Sequence, residues 1–244
     1  PLGKSVACDS GITPVFIVGM HRSGTTLTEQ YLSCHPSVGG IGETNFFGDR
    51  FVAISEKTGC DFPASLDLVS PEVIRQLGEE YLSFAVERAP GCSVIVEKTP
   101  FNFHFIPVIK AALPNAKFIH CRRDPKDSCF SLYQLSLKPG DHRYGYNQLE
   151  LAQFSHLYAD LMRHWGALLP GEIYQQDYET LIDDFERGVV DLLGFLDLAF
   201  DTACLQFHQS ARAVTTASVS QVRRPLYKSS INNWKEFRSS LFVL

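Results

Sequence analysis

The 244-residue sequence predicts an α/β fold, with a mainly parallel central sheet flanked by helices. Three observations carry that prediction. Short β-branched and aromatic runs alternate with stretches of helical apolar period along the chain. The first such run, Val15-Phe-Ile-Val18, passes through a glycine-bounded loop straight into a helix, which is how a parallel strand begins its crossover. No internal repeat, low-complexity tract or linker interrupts the pattern, so 14–244 reads as one domain behind an N-terminal tail, 1–13.

Taken in order, Val15–Val18 is the first strand and Thr25–Ser33 the helix after the loop. Ser70-Pro71-Glu72 supplies a cap, a first-turn proline and an acid, so a helix runs from there to about Arg88, where Ala89-Pro-Gly91 stops it. Ser93–Glu97 is a second strand, followed by a helix over roughly 103–113. After the turn Pro114-Asn115 comes a third strand, Lys117–Cys121, and a helix over about 125–137. Lys138–Tyr146 is polar and glycine-containing, a surface loop or lid. Glu150–Leu169 has a strong 3.6-residue apolar period, Ile173–Gln175 a short strand pattern, and Glu179–Leu196 a further amphipathic helix. Arg212–Lys228 is irregular and rich in Ser, Thr and Arg, and a short helix near 231–237 follows.

Composition narrows the function. With 45% hydrophobic and 20% charged residues the chain has the balance of a soluble globular protein. Its net charge of −5 and pI of about 5.9 predict no nucleic-acid or anionic-membrane surface, so any basic site is local. The longest apolar run, near Val189–Phe200, is broken by aspartates and too short for a bilayer span. The tail lacks the basic start and apolar middle of a secretory leader, and part of it reads as an expression-vector remnant. Seven cysteines show neither CxxC pairs nor zinc spacing, so buried free thiols and a cytoplasmic setting are expected. The histidines at 21, 35, 104 and 120 lack ligand spacing and read as capping or core residues.

The chemistry lies at three strand-to-helix junctions, where ligands bind in open α/β sheets. The first, Gly19-Met-His-Arg-Ser-Gly-Thr-Thr26, makes an anion cradle from loop amides and a helix N-terminus. It is similar to the phosphate-binding loop of nucleotide hydrolases, G-x-x-x-x-G-K-[ST]. Thr25 stands where that motif has its lysine, and Arg22 lies inside the loop, which disfavours a nucleotide kinase or NTPase. The second junction is Glu97-Lys98-Thr99-Pro100, and the third Arg122-Arg123-Asp124-Pro125, with Ser131 two turns into the helix. A guanidinium from Arg123 and a hydroxyl from Ser131 suit a second phosphate. Two separate phosphate grips call for a nucleotide phosphorylated at two distant positions.

These residues resemble the sulfotransferases that use 3′-phosphoadenosine 5′-phosphosulfate (PAPS). The family's first motif, Lys/Arg-Ser-Gly-Thr-Thr, stands here as Arg22-Ser23-Gly24-Thr25-Thr26, and the resemblance implies that it holds the 5′-phosphosulfate. The second motif, an arginine followed eight positions later by a serine, stands as Arg123 and Ser131 and implies a 3′-phosphate grip. Cytosolic small-molecule members carry a base histidine two residues after the second-strand lysine, and Pro100 fills that place here. Tyrosylprotein sulfotransferases place a glutamate base in a Gly-Glu-Glu-Thr segment, to which Gly42-Glu43-Thr44 is similar, 21 residues after Arg22 as in that subgroup. The resemblance thus implies Glu43 as base, with Lys98 and Arg22 stabilising the leaving oxygen.

Asn45 replaces that subgroup's arginine, and Ile41 and Glu97 stand where its stapling cysteines lie. Both departures weigh toward a cytoplasmic setting and against a strict peptidyl-tyrosine match. Bacterial sulfotransferase domains, often joined to tetratricopeptide repeats, are the nearest pattern, through Glu97-Lys-Thr-Pro100 with Asn102, Phe118–Pro125 and Ala217–Tyr227. By the same resemblance Ser218, Lys228 and the adenine-side Tyr178 join the nucleotide site.

Sulfuryl transfer is an in-line displacement with diffuse charge, so positioned cations suffice and no metal is expected. The implied co-substrate is PAPS and the product adenosine 3′,5′-bisphosphate. Acceptor hydroxyls on a peptide tyrosine, a glycan or a small molecule all suit Glu43, with protein tyrosine leading. A non-catalytic nucleotide-binding module is the alternative of another class. Phe46, Phe47, Tyr144 and Tyr146 either line an acceptor pocket or pack locally, and Trp165 reads as helix core.

Overall fold

The computed structural model describes residues 11–135, 143–210 and 222–241. Five parallel strands form its sheet in the order β2-β3-β1-β4-β5: β1 Thr13–Gly19, β2 Val38–Gly42, β3 Val94–Glu97, β4 Lys117–Arg122 and β5 Ile173–Asp177. The helices are α1 Thr25–Leu32, α2 Phe46–Thr58, α3 Pro71–Arg88, α4 Ile106–Ala112, α5 Pro125–Tyr133, α6 Gln148–Leu168, α7 Tyr178–Asp183 and α8 Phe185–Phe195. Single 3₁₀ stretches cover Ala64–Leu68, Pro100–His104, Arg143–Tyr146, Thr202–Gln209 and Asn233–Ser240. Among the described residues no helix is long and apolar enough to cross a membrane.

β1 is an unbroken apolar run because it is covered on both faces. Val15 and Ile17 join a cluster with Leu27, Tyr31, Leu192 and Phe207 under α1 and α8. Phe16 and Val18 face the opposite cluster, built from α2, α3, α4 and Met162 of α6. Alternation along β3 puts Val94 and Val96 on the first face and Ile95 on the second, so Glu97 follows Ile95 onto the Phe16 side. The register sets the site: Gly42 of β2 lies opposite Glu97, and Gly19 of β1 opposite Cys121. Because β1 sits between β3 and β4, the chain reverses direction across the sheet there, at the crevice where such folds bind ligands.

Local chemistry sets the helix starts. Ser70 accepts from Val73 N at 3.4 Å, Asp124 from Lys126 N at 2.8 Å, Asn147 from Leu149 N at 2.9 Å and Asp184 from Arg187 N at 3.2 Å. The Asp184 cap divides the expected 179–196 helix into α7 and α8. Likewise the expected 103–113 helix is a 3₁₀ turn followed by α4, with Pro107 in its first turn. β2 and α2 are two elements beyond those the sequence predicted. The 138–146 loop enters the described residues only from 143, where Tyr144 stacks on Phe154 at 4.2 Å. Phe46 and Phe47 are core residues, packed on Tyr81 at 5.3 and 5.2 Å. Trp165 packs against the core and donates to the Phe103 carbonyl at 2.9 Å. Of the described cysteines, 121, 129 and 204 are buried, whereas 34, 60 and 92 are partly exposed and all six are free.

His120 of β4 ties α6 to the sheet: its Nδ1 lies 2.8 Å from Gln175 Oε1 of β5, and its Nε2 meets the Tyr158 hydroxyl. Burial lowers its pKa from 6.5 to about 4, so the folded protein resists a proton that the unfolded chain accepts. Stability therefore falls as pH drops from 6.5 toward 4, by roughly 3 kcal/mol from this group. Denaturant titrations at pH 7 and pH 5 check this, with the acid loss expected to shrink in His120→Gln. A second expectation concerns Gly39 in β2, where a Cβ would lie 2.4 Å from the Ala89 Cβ at the end of α3. Gly39→Ala should cost about 1–3 kcal/mol by overpacking. Adding Ala89→Gly should restore most of it in a double-mutant cycle of melting temperatures.

Candidate active site

All five strands end at the same edge, where two groups of charged side chains gather. From β1, the loop 19–24 carries Arg22 and Ser23. Ser23 is buried, with its hydroxyl donating to the Met20 carbonyl at 2.7 Å, which closes the loop on itself. Arg22 is held at φ 69 and Gly24 at φ 97, both left-handed, so the chain turns back sharply before α1. Gly24 admits no side chain, since a Cβ there would lie 2.7 Å from the Tyr178 ring. Thr25 and Thr26 form the buried first turn of α1.

The cations converge on this loop. Arg22 Nε donates to Ser131 Oγ of α5 at 2.9 Å. Arg123, just past β4, donates through Nη1 to the Arg22 carbonyl at 2.8 Å and through Nη2 to the Ser230 carbonyl at 2.6 Å. Its guanidinium lies over the Tyr178 ring, 4.9 Å from the centroid, and the Tyr178 hydroxyl meets Ser230 Oγ at 2.9 Å. Arg22, Arg123, Ser131 and Tyr178 are thus one assembly, although they come from four elements. Burial, and then the neighbouring Arg123, lower the Arg22 pKa. Among the described residues both terminal nitrogens of Arg123 go to carbonyls, and its Nε is buried without a hydrogen-bond partner. Two adjacent guanidiniums with an orphaned buried N–H and a glycine turn fit an anionic ligand.

The second half of the site lies between β2 and β3. Glu43 Oε1 and Lys98 Nζ form an ion pair, with the lysine side chain fully buried and the glutamate 47% exposed. The pair follows from register: Gly42 opposes Glu97, so the next residues on each strand face one another. Lys98 N donates to the Gly42 carbonyl at 2.9 Å, and buried Glu29 of α1 accepts from Gly42 N at 2.9 Å. Thr44 and Thr99 then bond to each other across the gap.

Two expected members remain. Lys228 is 66% exposed and its ammonium pairs with Asp183 at 2.6 Å. Ser218 lies outside the described residues. Several contributors have no motif of their own. Ser230 bonds both Arg123 and Tyr178, and buried Asp127 fixes it there by accepting from Asn232 N at 2.7 Å and Trp234 N at 3.3 Å. Glu179 receives Asp124 N at 2.9 Å, joining α7 to the start of α5.

Comparison with known proteins agrees with this architecture. The profile described as "Sulfotransferase family" matches residues 14–202. An Aquifex aeolicus (strain VF5) protein, named only as uncharacterized, is 32% identical over 93% of this chain, and the chain spans 31% of that protein's length. A putative protein-tyrosine sulfotransferase of Caenorhabditis briggsae is 24% identical over 90% of the chain and 80% of its own. Among solved structures, the sulfotransferase domain from the curacin biosynthetic pathway superposes with a TM-score of 0.69 at 18% identity, over 95% of this chain and 92% of that one. Mouse sulfotransferase SULT7A1, complexed with PAP, superposes at 0.53 and 16% identity, over 92% and 77%. These two structures share the fold, and the profile match across most of the chain shows its kinship: the chain belongs to the sulfotransferase family.

Proposed function

We propose that the protein moves a sulfuryl group from PAPS to an acceptor hydroxyl, with Glu43 as base. The observation that carries this is the Glu43–Lys98 pair standing at the same sheet edge as the Arg22–Arg123 cradle. The cradle supplies cationic donors for the nucleotide's phosphates: Arg22 with the amides of the 19–24 loop at the 5′ end, Arg123 with Ser131 at the 3′-phosphate, and Tyr178 on the adenine side. Arg123 already stacks on that ring.

Each residue then has a defined task. Glu43 takes the proton of the acceptor hydroxyl as its oxygen bonds to sulfur. The bond from sulfur to the bridging oxygen breaks in line, and its electron pair stays on the 5′-phosphate of adenosine 3′,5′-bisphosphate. Lys98 and Arg22 hold the charge that grows on that oxygen, and Lys98, fully buried, does so without reorganising. The acceptor assigned is a peptide tyrosine hydroxyl. Likeness to a putative protein-tyrosine sulfotransferase supports it, as does the half-exposed Glu43, which a protruding side chain can reach. A cytoplasmic setting and a single domain over 14–244 go with this reading.

Adenosine 3′,5′-bisphosphate at about 100 times its Kd should stabilise the protein by about 2.7 kcal/mol without added metal, read as a rise in melting temperature. Arg123→Ala should abolish the rise, and no rise in the wild type would remove the nucleotide assignment. Glu43→Gln should lower kcat about 10²–10⁴-fold while leaving that thermal shift intact. Transfer of labelled sulfate from PAPS to a tyrosine peptide, against the matching phenylalanine peptide, measures both the rate and the acceptor.

A further inference from the structure

Both residues of the Glu43–Lys98 pair are followed by threonine, and the two threonines hold each other. Thr44 N–H donates to Thr99 Oγ1 at 3.0 Å, and Thr99 Oγ1 lies 2.6 Å from the Thr44 carbonyl, which offers only lone pairs. The single hydroxyl proton of Thr99 is therefore committed to that carbonyl. Yet Thr99 Oγ1 also lies 2.9 Å from Glu97 Oε1. An ionised carboxylate has no proton to place in that gap, and two lone pairs would oppose each other. The network closes only if the proton belongs to Glu97. Its Oε1–H then donates to Thr99, which accepts twice and donates once, while the same Oε1 accepts from Asn102 Nδ2 at 2.9 Å.

The surroundings agree. Glu97 is fully buried on the Phe16 side of the sheet, and its Oε2 makes no hydrogen bond of ordinary geometry. The groups that face it are the hydroxyls of Tyr81 from α3 and Thr44 from the β2 turn, with Thr99 and Asn102 from its own segment. None is a cation. Lys98, the next residue, belongs to Glu43. Burial, the largest influence, raises the Glu97 pKa against the opposing hydrogen bonds from Thr44, Thr99, Tyr81 and Asn102, in the direction that the hydrogen-bond accounting requires.

We propose that Glu97 is a neutral, proton-donating positioning residue that locks a Thr44–Thr99 clip, and that the clip holds Glu43 against Lys98 for proton transfer. The clip joins two turns that parallel-strand pairing alone leaves free: the register between β2 and β3 shifts between Gly40 and Gly42, directly before Glu43. This assignment rests on the sulfuryl-transfer reading for its consequence, but not for its chemistry.

Two readouts test it. Infrared difference spectra of the folded protein at neutral pH, wild type minus Glu97→Gln, should show the carbonyl band of a protonated carboxylic acid. That measurement needs no turnover. In the transfer assay Thr99→Val, which removes the hydroxyl but keeps the shape, should lower kcat about 10²-fold through misplacement. The thermal shift given by adenosine 3′,5′-bisphosphate should persist, because the cradle is untouched. Thr99→Ser should restore turnover. So should Glu97→Gln, whose amide can donate to Thr99 once Asn102 presents its carbonyl. Absence of the protonated-acid band, or Thr99→Val turning over at the wild-type rate, would overturn the proposal. If the wild type shows the band but neither the nucleotide shift nor transfer, the functional reading fails and the clip stands.

Discussion

A lysine ammonium with no exposed surface is the constraint around which the sheet edge is arranged. Removing such a charge from water costs several kcal/mol unless a counter-charge and good geometry offset it. For Lys98 the counter-charge is Glu43, which comes from a different strand and sits in a turn after a glycine. A turn of that kind is mobile by default. Here it is bound on three sides: Glu29 receives the Gly42 amide, the Gly42 carbonyl receives Lys98 N, and Thr44 is joined to Thr99. The pair is thus a consequence of parallel pairing that the surrounding hydrogen bonds sharpen.

The Arg22–Arg123 half follows a different logic. Its second guanidinium is oriented by backbone carbonyls rather than acids, because Arg123 gives both terminal nitrogens to main-chain oxygens. Those contacts orient the guanidinium without cancelling its charge. The loop beneath carries an arginine in left-handed conformation, a strain of roughly 1–2 kcal/mol that natural chains keep where function sets the backbone. One half of this edge therefore neutralises its charge internally, and the other leaves it uncancelled.

Much of this was legible in the chain. The run Val15–Val18 identified the central strand because burial on both faces leaves no polar position to confuse the period. Ser70-Pro71 and Asp124-Pro125 located helix starts because capping is local chemistry. Arg22, Glu43, Lys98 and Arg123 were singled out by motif and spacing, and all four follow strand ends at one edge of the sheet. β2 escaped because its sequence, Val-Gly-Gly-Ile-Gly, has no strand period. Its glycines answer to the close approach of Ala89 and to a positive φ at Gly42, both tertiary facts. α2 escaped because Phe46, Phe47 and Phe51 are spaced for a helix whose face becomes visible only once Tyr81 and Phe105 are in place. Lys228 was singled out by its distance from Trp234, whereas its ion pair with Asp183 has no sign in the linear sequence. Thr44, Thr99 and Ser230 act through a partner far along the chain, a relation that linear spacing does not encode.

The fastening of the 230–234 segment has a bearing on how the cleft comes into being. Ser230 closes the wall behind Arg123 and Tyr178 only because Asp127 grips the amides of Asn232 and Trp234. The same stretch of chain also finishes the interior, since Val222 is buried in the cluster under α1 and α8, and Leu226 and Ile231 pack against it. Fastening the wall and sealing that part of the core are therefore one event, so a change that loosens the strap also opens the hydrophobic interior to water.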